Sequence, residues 1–148
     1  MKISMGCDHG ALTLKNKVAE HLKALGHEVV DFGTNTAESC DYPDFAAAAA
    51  RAVATGECDR GIVLCTTGIG VSIAANKVPG VRCALLSALW SAKMTRLHND
   101  TNVMALGAGV VGENLAMAIV DVWVGTEFSG EQRHQRRIDK LTALEQEK

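Results

Sequence analysis

The sequence predicts a three-layer α/β/α fold, with a five-stranded parallel sheet between two layers of helices. Three observations carry that reading. Short apolar runs recur five times along the 148 residues. Between them stand stretches whose apolar residues repeat at helical spacing, as parallel neighbours require crossover helices. Each run also ends in a glycine-rich or polar turn, the punctuation of strand–turn–helix units.

Lys2 to Cys7 reads as the first strand, and Gly6-Cys7-Asp8-His9-Gly10 as the turn that opens a helix. Leu14, Val18, Leu22 and Leu25 form the apolar stripe of that helix, and Gly26 stops it. Glu28 to Phe32 is a second strand closed by Gly33. A polar loop from Thr34 to Asp44 contains Asp41-Tyr42-Pro43, with Pro43 expected at the first position of the next helix. Ala46 to Ala50 continue that helix, packed closely on the sheet, until Gly56.

Gly61 to Lys77, GIVLCTTGIGVSIAANK, is the central stretch. It reads as a buried strand, a glycine turn and a helix start. Val81 to Leu86 is a fourth strand and Ala88 to Leu97 its helix. His98-Asn99-Asp100-Thr101-Asn102 then reads as a polar loop, and Val103 to Gly107 as a fifth strand. Val111, Leu115, Ile119 and Val122 mark another helix, residues 125–130 a break, and a last helix begins near Glu131. The pattern is Rossmann-like, with a single domain over residues 1–148 and no repeat or linker. In such sheets ligands bind at the carboxyl ends of the strands.

Composition narrows the function. Net charge is −2 and aromatic residues make up 4%, so nucleic acid and anionic membrane are not expected partners. No stretch approaches the apolar length of a membrane span, and no signal peptide is expected at the N-terminus. Five cysteines, at positions 7, 40, 58, 65 and 83, are odd in number and include no C-x-x-C pair. A reduced, cytoplasmic protein is the simplest expectation, without disulfides or a zinc ribbon. No two histidines are spaced for zinc, so no metal is expected.

Cys65 stands at the end of the central strand, before Thr66, Thr67, Gly68, Ile69 and Gly70. A lone cysteine after apolar residues is commonly a small buried hydrophobe. Beside a helix N-terminus, however, the anionic thiolate is favoured, as a base or nucleophile requires. The glycine turn is neither a dinucleotide fingerprint nor a P-loop: Ile73 occupies the third glycine position, and no Gly-Lys-Ser/Thr occurs. Val71 rules out a thiol-phosphatase loop. What remains is a small oxyanion cradle, to which Thr66 and Thr67 add hydroxyls or helix caps. His98, expected at a strand end opposite Cys65, reads as a loop residue or a proton carrier. Asp8 and His9 are open between capping and chemistry. Arg133 and Arg137, one helical turn apart, share a stripe with Leu141 and Leu144. That face is expected to pack, with its guanidinium groups toward a carboxylate or phosphate and the helix against a partner subunit.

Taken together these segments resemble a known family. Gly6-Cys7-Asp8-His9, Asp41-Tyr42-Pro43, Cys65 with Thr67-Gly68-Ile69-Gly70, Ser72 to Lys77, His98 to Asn102 and Arg133-His134-Gln135 follow the pattern of type B ribose-5-phosphate isomerases. Galactose-6-phosphate and allose-6-phosphate isomerases belong to the same family. The resemblance implies a cofactor-free aldose–ketose isomerisation, in a homodimer or a dimer of dimers with the site shared between subunits. By the same resemblance Cys65 is the base. Thr67, Gly68 and Gly70 stabilise a cis-enediolate, and His98 opens the sugar ring. Asp8 and Asn99 hold hydroxyls and Tyr42 lines the pocket. His9, Arg133 and Arg137 bind phosphate, the arginines from the neighbouring subunit.

Two departures stand out. Thr66 occupies a position where many relatives have glycine, and Gly109 one where an arginine is expected, with Arg136 extra to the usual pair. Another pentose, hexose or tetrose phosphate therefore stays open as substrate. So does a non-catalytic phosphate-binding module, which would need neither the cysteine nor the histidine.

Overall fold

The computed structural model describes residues 1–147. Its five strands are β1 (Lys2–Cys7), β2 (Glu28–Asp31), β3 (Arg60–Cys65), β4 (Cys83–Leu85) and β5 (Val103–Gly107). They form one parallel sheet in the order β2-β1-β3-β5-β4. The helices are α1 (Leu12–Ala24), α2 (Tyr42–Ala54), α3 (Ile69–Asn76), α4 (Leu89–Asn99), α5 (Glu113–Gly125) and α6 (Gln132–Ala143).

Alternation along the strands divides the core into two layers. Met5, Cys7, Ile62, Leu64, Met104 and Leu106 face one side, with Val18 and Leu22 of α1, Ala92 of α4, and Ile119 and Trp123 of α5. Val63, Cys65, Val103 and Ala105 face the other, with Ala46, Ala49 and Ala50 of α2 and Val71 and Ala75 of α3. The alanine run lets α2 approach β1 closely. A Cβ at Gly6 would lie 2.5 Å from the Phe45 carbonyl oxygen, and Ser4 Oγ donates to the Ala49 carbonyl at 2.9 Å.

The helix after β1 covers one face and the helix after β3 the other. The crevice between the carboxyl ends of β1 and β3 is therefore the topological switch point of the sheet, where open α/β sheets take ligands. Asp8 and Cys65 flank it.

Several element boundaries differ from the expectations. β4 is three residues long, an edge strand, with Val81 and Leu86 buried outside its ladder. α2 starts at Tyr42, so Pro43 takes its second position and Tyr42 sits on a helix. α5 buries Ala116, Ile119, Val120, Trp123 and Val124, whereas Leu115 is exposed and Val111 precedes the helix. On α6 the buried residues are His134 and Ile138, and the stripe of Arg133, Arg137, Leu141 and Leu144 is exposed.

The largest correction concerns His98 and Asn99. They form the last residues of α4, not a loop at a carboxyl strand end. The helix runs back along the sheet and stops just before Val103, which pairs with Gly61; Cys65 pairs with Gly107. Four residues of strand, about 13 Å, separate those two levels. His98 and Asn99 thus lie at the amino-terminal end of the sheet, and Cys65 at the carboxyl-terminal end.

Candidate active site

β3 delivers Cys65 at 5% exposure into a cleft of ≈ 430 Å³. Asp8, Tyr42, Thr66, Thr67, Ile69, Gly70 and Ile73 line it with Cys65. The turn after Cys65 folds back because Gly68 adopts φ +76°, a left-handed conformation. As a result the Gly68 N–H donates to Cys65 Sγ at 3.1 Å. Thr67 Oγ1 lies 4.0 Å from the sulfur and accepts the Ile69 N–H at 3.2 Å, capping α3. An N–H and a hydroxyl thus converge on one sulfur at the edge of the cleft.

Asp8 both caps and lines. Its Oδ1 accepts the Gly10 N–H at 3.0 Å, holding the 3-10 turn His9–Ala11, and the residue is buried at the edge of the cleft. Tyr42 packs so closely on Gly70 that a Cβ there would come 2.6 Å from its ring.

His9 points to an adjacent groove of ≈ 340 Å³, bounded by Gly10, Thr13, Lys17, Ala108 and Gly112. Its Nδ1 accepts the Cys40 N–H at 3.2 Å. A backbone N–H only donates, so the neutral ring carries its proton on Nε2. Cys40, which the sequence offered only as an unremarkable polar-loop residue, is thus the partner that orients His9. No periodicity or motif marks such a contact.

The remaining expected residues stand apart from the cleft. His98 is exposed and packs against His134, with ring centroids 4.4 Å apart and the planes tilted by 39°. His134 is buried, and its Nδ1 meets Ser129 Oγ at 2.8 Å. Burial and the adjacent His98 disfavour its imidazolium and lower its pKa. Asn99 faces a groove between β4 and α6 that also contains Arg82 and Cys83. Arg133 pairs with Glu131 at 2.7 Å on the exposed side of α6, which also carries Arg137.

α4 ends sharply. Asp100 has φ +44°, the one non-glycine residue with positive φ among those described. Arg96 donates to Asp100 Oδ1 at 2.8 Å and to the Thr101 carbonyl at 2.6 Å. Arg82 donates to the Asn99 and Asp100 carbonyls. Two guanidinium groups therefore hold the helix end that presents His98 and Asn99.

Among the described residues, no group of three or more His, Cys, Asp or Glu side chains is placed to hold a metal ion, and no helix is long and apolar enough to cross a membrane. The five cysteines are free thiols.

A doubly wound α/β sheet with a thiol and an N–H cradle at its switch point defines a class: an enzyme site suited to proton transfer beside a carbonyl. Comparison with known proteins narrows the class. The ribose/galactose isomerase family model matches residues 3–141. The chain is 50% identical to ribose-5-phosphate isomerase B of Escherichia coli over 145 residues, 98% of this chain and 97% of that one. The structure of Clostridium thermocellum ribose-5-phosphate isomerase B superposes with a TM-score of 0.97 at 54% identity, covering 99% of each chain. That of Mycoplasma genitalium ribose-5-phosphate isomerase B with bound ribulose 5-phosphate gives 0.95 at 42% identity, covering 99% of this chain and 97% of that one. The chain belongs to the ribose/galactose isomerase family.

Proposed function

We propose that the chain interconverts D-ribose 5-phosphate and D-ribulose 5-phosphate through a cis-enediolate, as a single isomerase domain in the cytoplasm. The observation that carries this reading is the cleft in which the Cys65 sulfur, the Gly68 N–H and Thr67 meet at the switch point of the sheet. The relatives' named activities supply the substrate. The free thiols suit a reducing compartment.

In this reading Cys65 as thiolate removes the C2 proton of the open-chain aldose. The C2–H electron pair forms the C1=C2 bond, and the carbonyl pair moves onto O1. The O2 proton then passes to O1, the O2–H pair forms the C2=O2 carbonyl, and the C1=C2 pair takes the proton back from sulfur at C1, which completes the ketose and restores the thiolate. Thr67 and the N–H groups from Gly68 to Gly70 steady the oxyanion. Asp8 and Tyr42 contact the sugar, and His9 donates from Nε2 to the phosphate.

His98 as ring opener, Asn99 as hydroxyl ligand, and Arg133 and Arg137 as phosphate ligands require a second copy, because one chain holds them at the far end of its sheet. Two features support a homodimer, or a dimer of dimers, with shared sites. Tyr42, Ile69 and Ile73 are exposed at the cleft, and Leu85, Leu89 and Trp90 are exposed on the elements that follow. The arginine–leucine stripe of α6 is likewise uncovered. Large apolar side chains in such numbers mark an interaction surface.

The test is turnover in heavy water. The native chain should isomerise ribose 5-phosphate and place deuterium at C1 of the ketose. Cys65→Ala should fold normally and do neither. Near-native turnover in Cys65→Ala would remove the thiol from the reaction, and absence of both turnover and exchange in the native chain would favour a binding module.

A further inference from the structure

We infer that Thr66 is a specificity-determining residue: its side chain is the partition between the Cys65 cleft and the His9 groove, and it sets how many carbons fit between thiol and phosphate. The inference rests on the isomerase reading above and deepens it.

Three contacts define the partition. Thr66 is exposed and lines the cleft beside Cys65 and Asp8. Its Oγ1 lies only 2.3 Å from where a Cβ of residue 10 would stand. Its Cγ2 and carbonyl oxygen lie 3.3 and 3.1 Å from where a Cβ of residue 109 would stand. Gly10 lines the His9 groove, and Ala108, next to Gly109, lines it too. The Gly109 N–H donates to the Thr66 carbonyl at 2.8 Å, pinning the loop after β5 against the threonine.

Thr66 therefore fills the space left by two absent side chains. The two sequence departures become one feature: a β-branched residue at 66 and a bare backbone at 109 are sterically matched, as is glycine at 10. A substrate with its reacting carbons at Cys65 and its phosphate toward His9 must pass this wall. Its bulk limits the chain between those ends, which favours a five-carbon sugar phosphate over a six-carbon one. Removing it joins the two hollows.

The experiment measures affinity for unreactive open-chain probes, so that binding is separated from turnover. D-ribitol 5-phosphate and D-allitol 6-phosphate differ by one hydroxymethylene group and have no carbonyl to isomerise. Their dissociation constants are measured by calorimetry with the full native chain and with Thr66→Gly, Thr66→Ser and Thr66→Val.

In Thr66→Gly the six-carbon probe should gain about tenfold relative to the five-carbon one, the scale of a methylene-sized fit. Thr66→Ser, which loses only Cγ2, should give a smaller gain, and serves if the glycine variant does not fold. Thr66→Val keeps the bulk and should hold the native ratio. An unchanged ratio in both Thr66→Gly and Thr66→Ser overturns the inference. So does a Thr66→Val ratio that moves as far as that of Thr66→Gly, because the hydroxyl and not the bulk would then discriminate. Failure of the six-carbon probe to bind both Thr66→Gly and Thr66→Ser overturns it as well. A native chain that binds ribitol phosphate but does not isomerise ribose 5-phosphate defeats the isomerase reading and leaves the partition standing.

Discussion

Gly68→Ala tests whether the turn at Cys65 is held by backbone conformation, by packing, or by both. Two costs are read from the structure. An L-residue at φ +76° costs about 1–2 kcal/mol. The new methyl would also lie 2.8 Å from the Leu106 carbonyl carbon and 2.9 Å from the Gly107 nitrogen. Those are backbone atoms of β5, so they cannot rotate away. The third neighbour, Leu85 Cδ1 at 2.5 Å, belongs to an exposed side chain that can swing aside. Overpacking against the strand adds about 1–3 kcal/mol. The total, about 2–5 kcal/mol, corresponds to a fall in melting temperature of roughly 5–20 °C.

Gly56→Ala is the internal control. Gly56 has φ +79°, but nothing lies within 4 Å of its would-be Cβ. It should lose the conformational part alone, about 1–2 kcal/mol. Urea unfolding followed by far-ultraviolet circular dichroism suits the comparison, because the signal reports the helices of the whole chain. If the two alanine variants lose equal stability, the contact of this turn with β5 carries no energy and the packing argument fails. Turnover should fall in Gly68→Ala beyond its loss of folded protein, since the N–H aimed at Cys65 Sγ moves with the turn.

Two further predictions concern the other side of the crevice. Lys15 is fully buried and its Nζ donates to Asp31, the Thr34 carbonyl and Asn35 Oδ1. Lys15→Met should cost about 3 kcal/mol, less than for a wholly buried pair because Asp31 keeps 35% of its side chain in solvent; an unchanged urea midpoint would contradict this anchoring role. Burial pushes the Cys7 thiol up to about 11 from 9.0, against the opposing pull of Lys15. A raised folded value means the neutral thiol is favoured in the fold, so its stabilisation is complete below pH 9 and is lost as pH climbs toward 11. Cys7→Ala should flatten that part of the alkaline stability profile, and an identical profile in both proteins would argue against it.

The layered sheet was legible because strand alternation and helix stripes depend on local periodicity. So was Cys65 beside its turn, since strand, glycine and helix start are contiguous. Convergence across the chain was less so. His98 and Asn99 read as a loop because helix ends and loops share polar composition. Here α4 persists to Asn99, and Asp100 caps it in a left-handed conformation held by Arg82 and Arg96, which no local pattern announces. The face of α6 that packs within one chain was not legible either. Arg133, Arg137 and Leu141 share a stripe, yet within one chain the contact with His98 comes from His134. Trp123 sits near both Arg60 and Arg96, 5.5 and 5.9 Å from its ring, a stack assembled from three distant segments. Lys15 lay hidden in a helix whose visible stripe was aliphatic.

The separation of His98 from Cys65 along the sheet has a genetic consequence under the shared-site reading. A chain with Cys65→Ala and a chain with His98→Ala are each inert when made alone. A mixed pair of the two brings one unaltered cysteine to one unaltered histidine, and so restores a single working site. Lesions at opposite ends of this sheet therefore complement one another within a single gene, while two lesions at the same end do not.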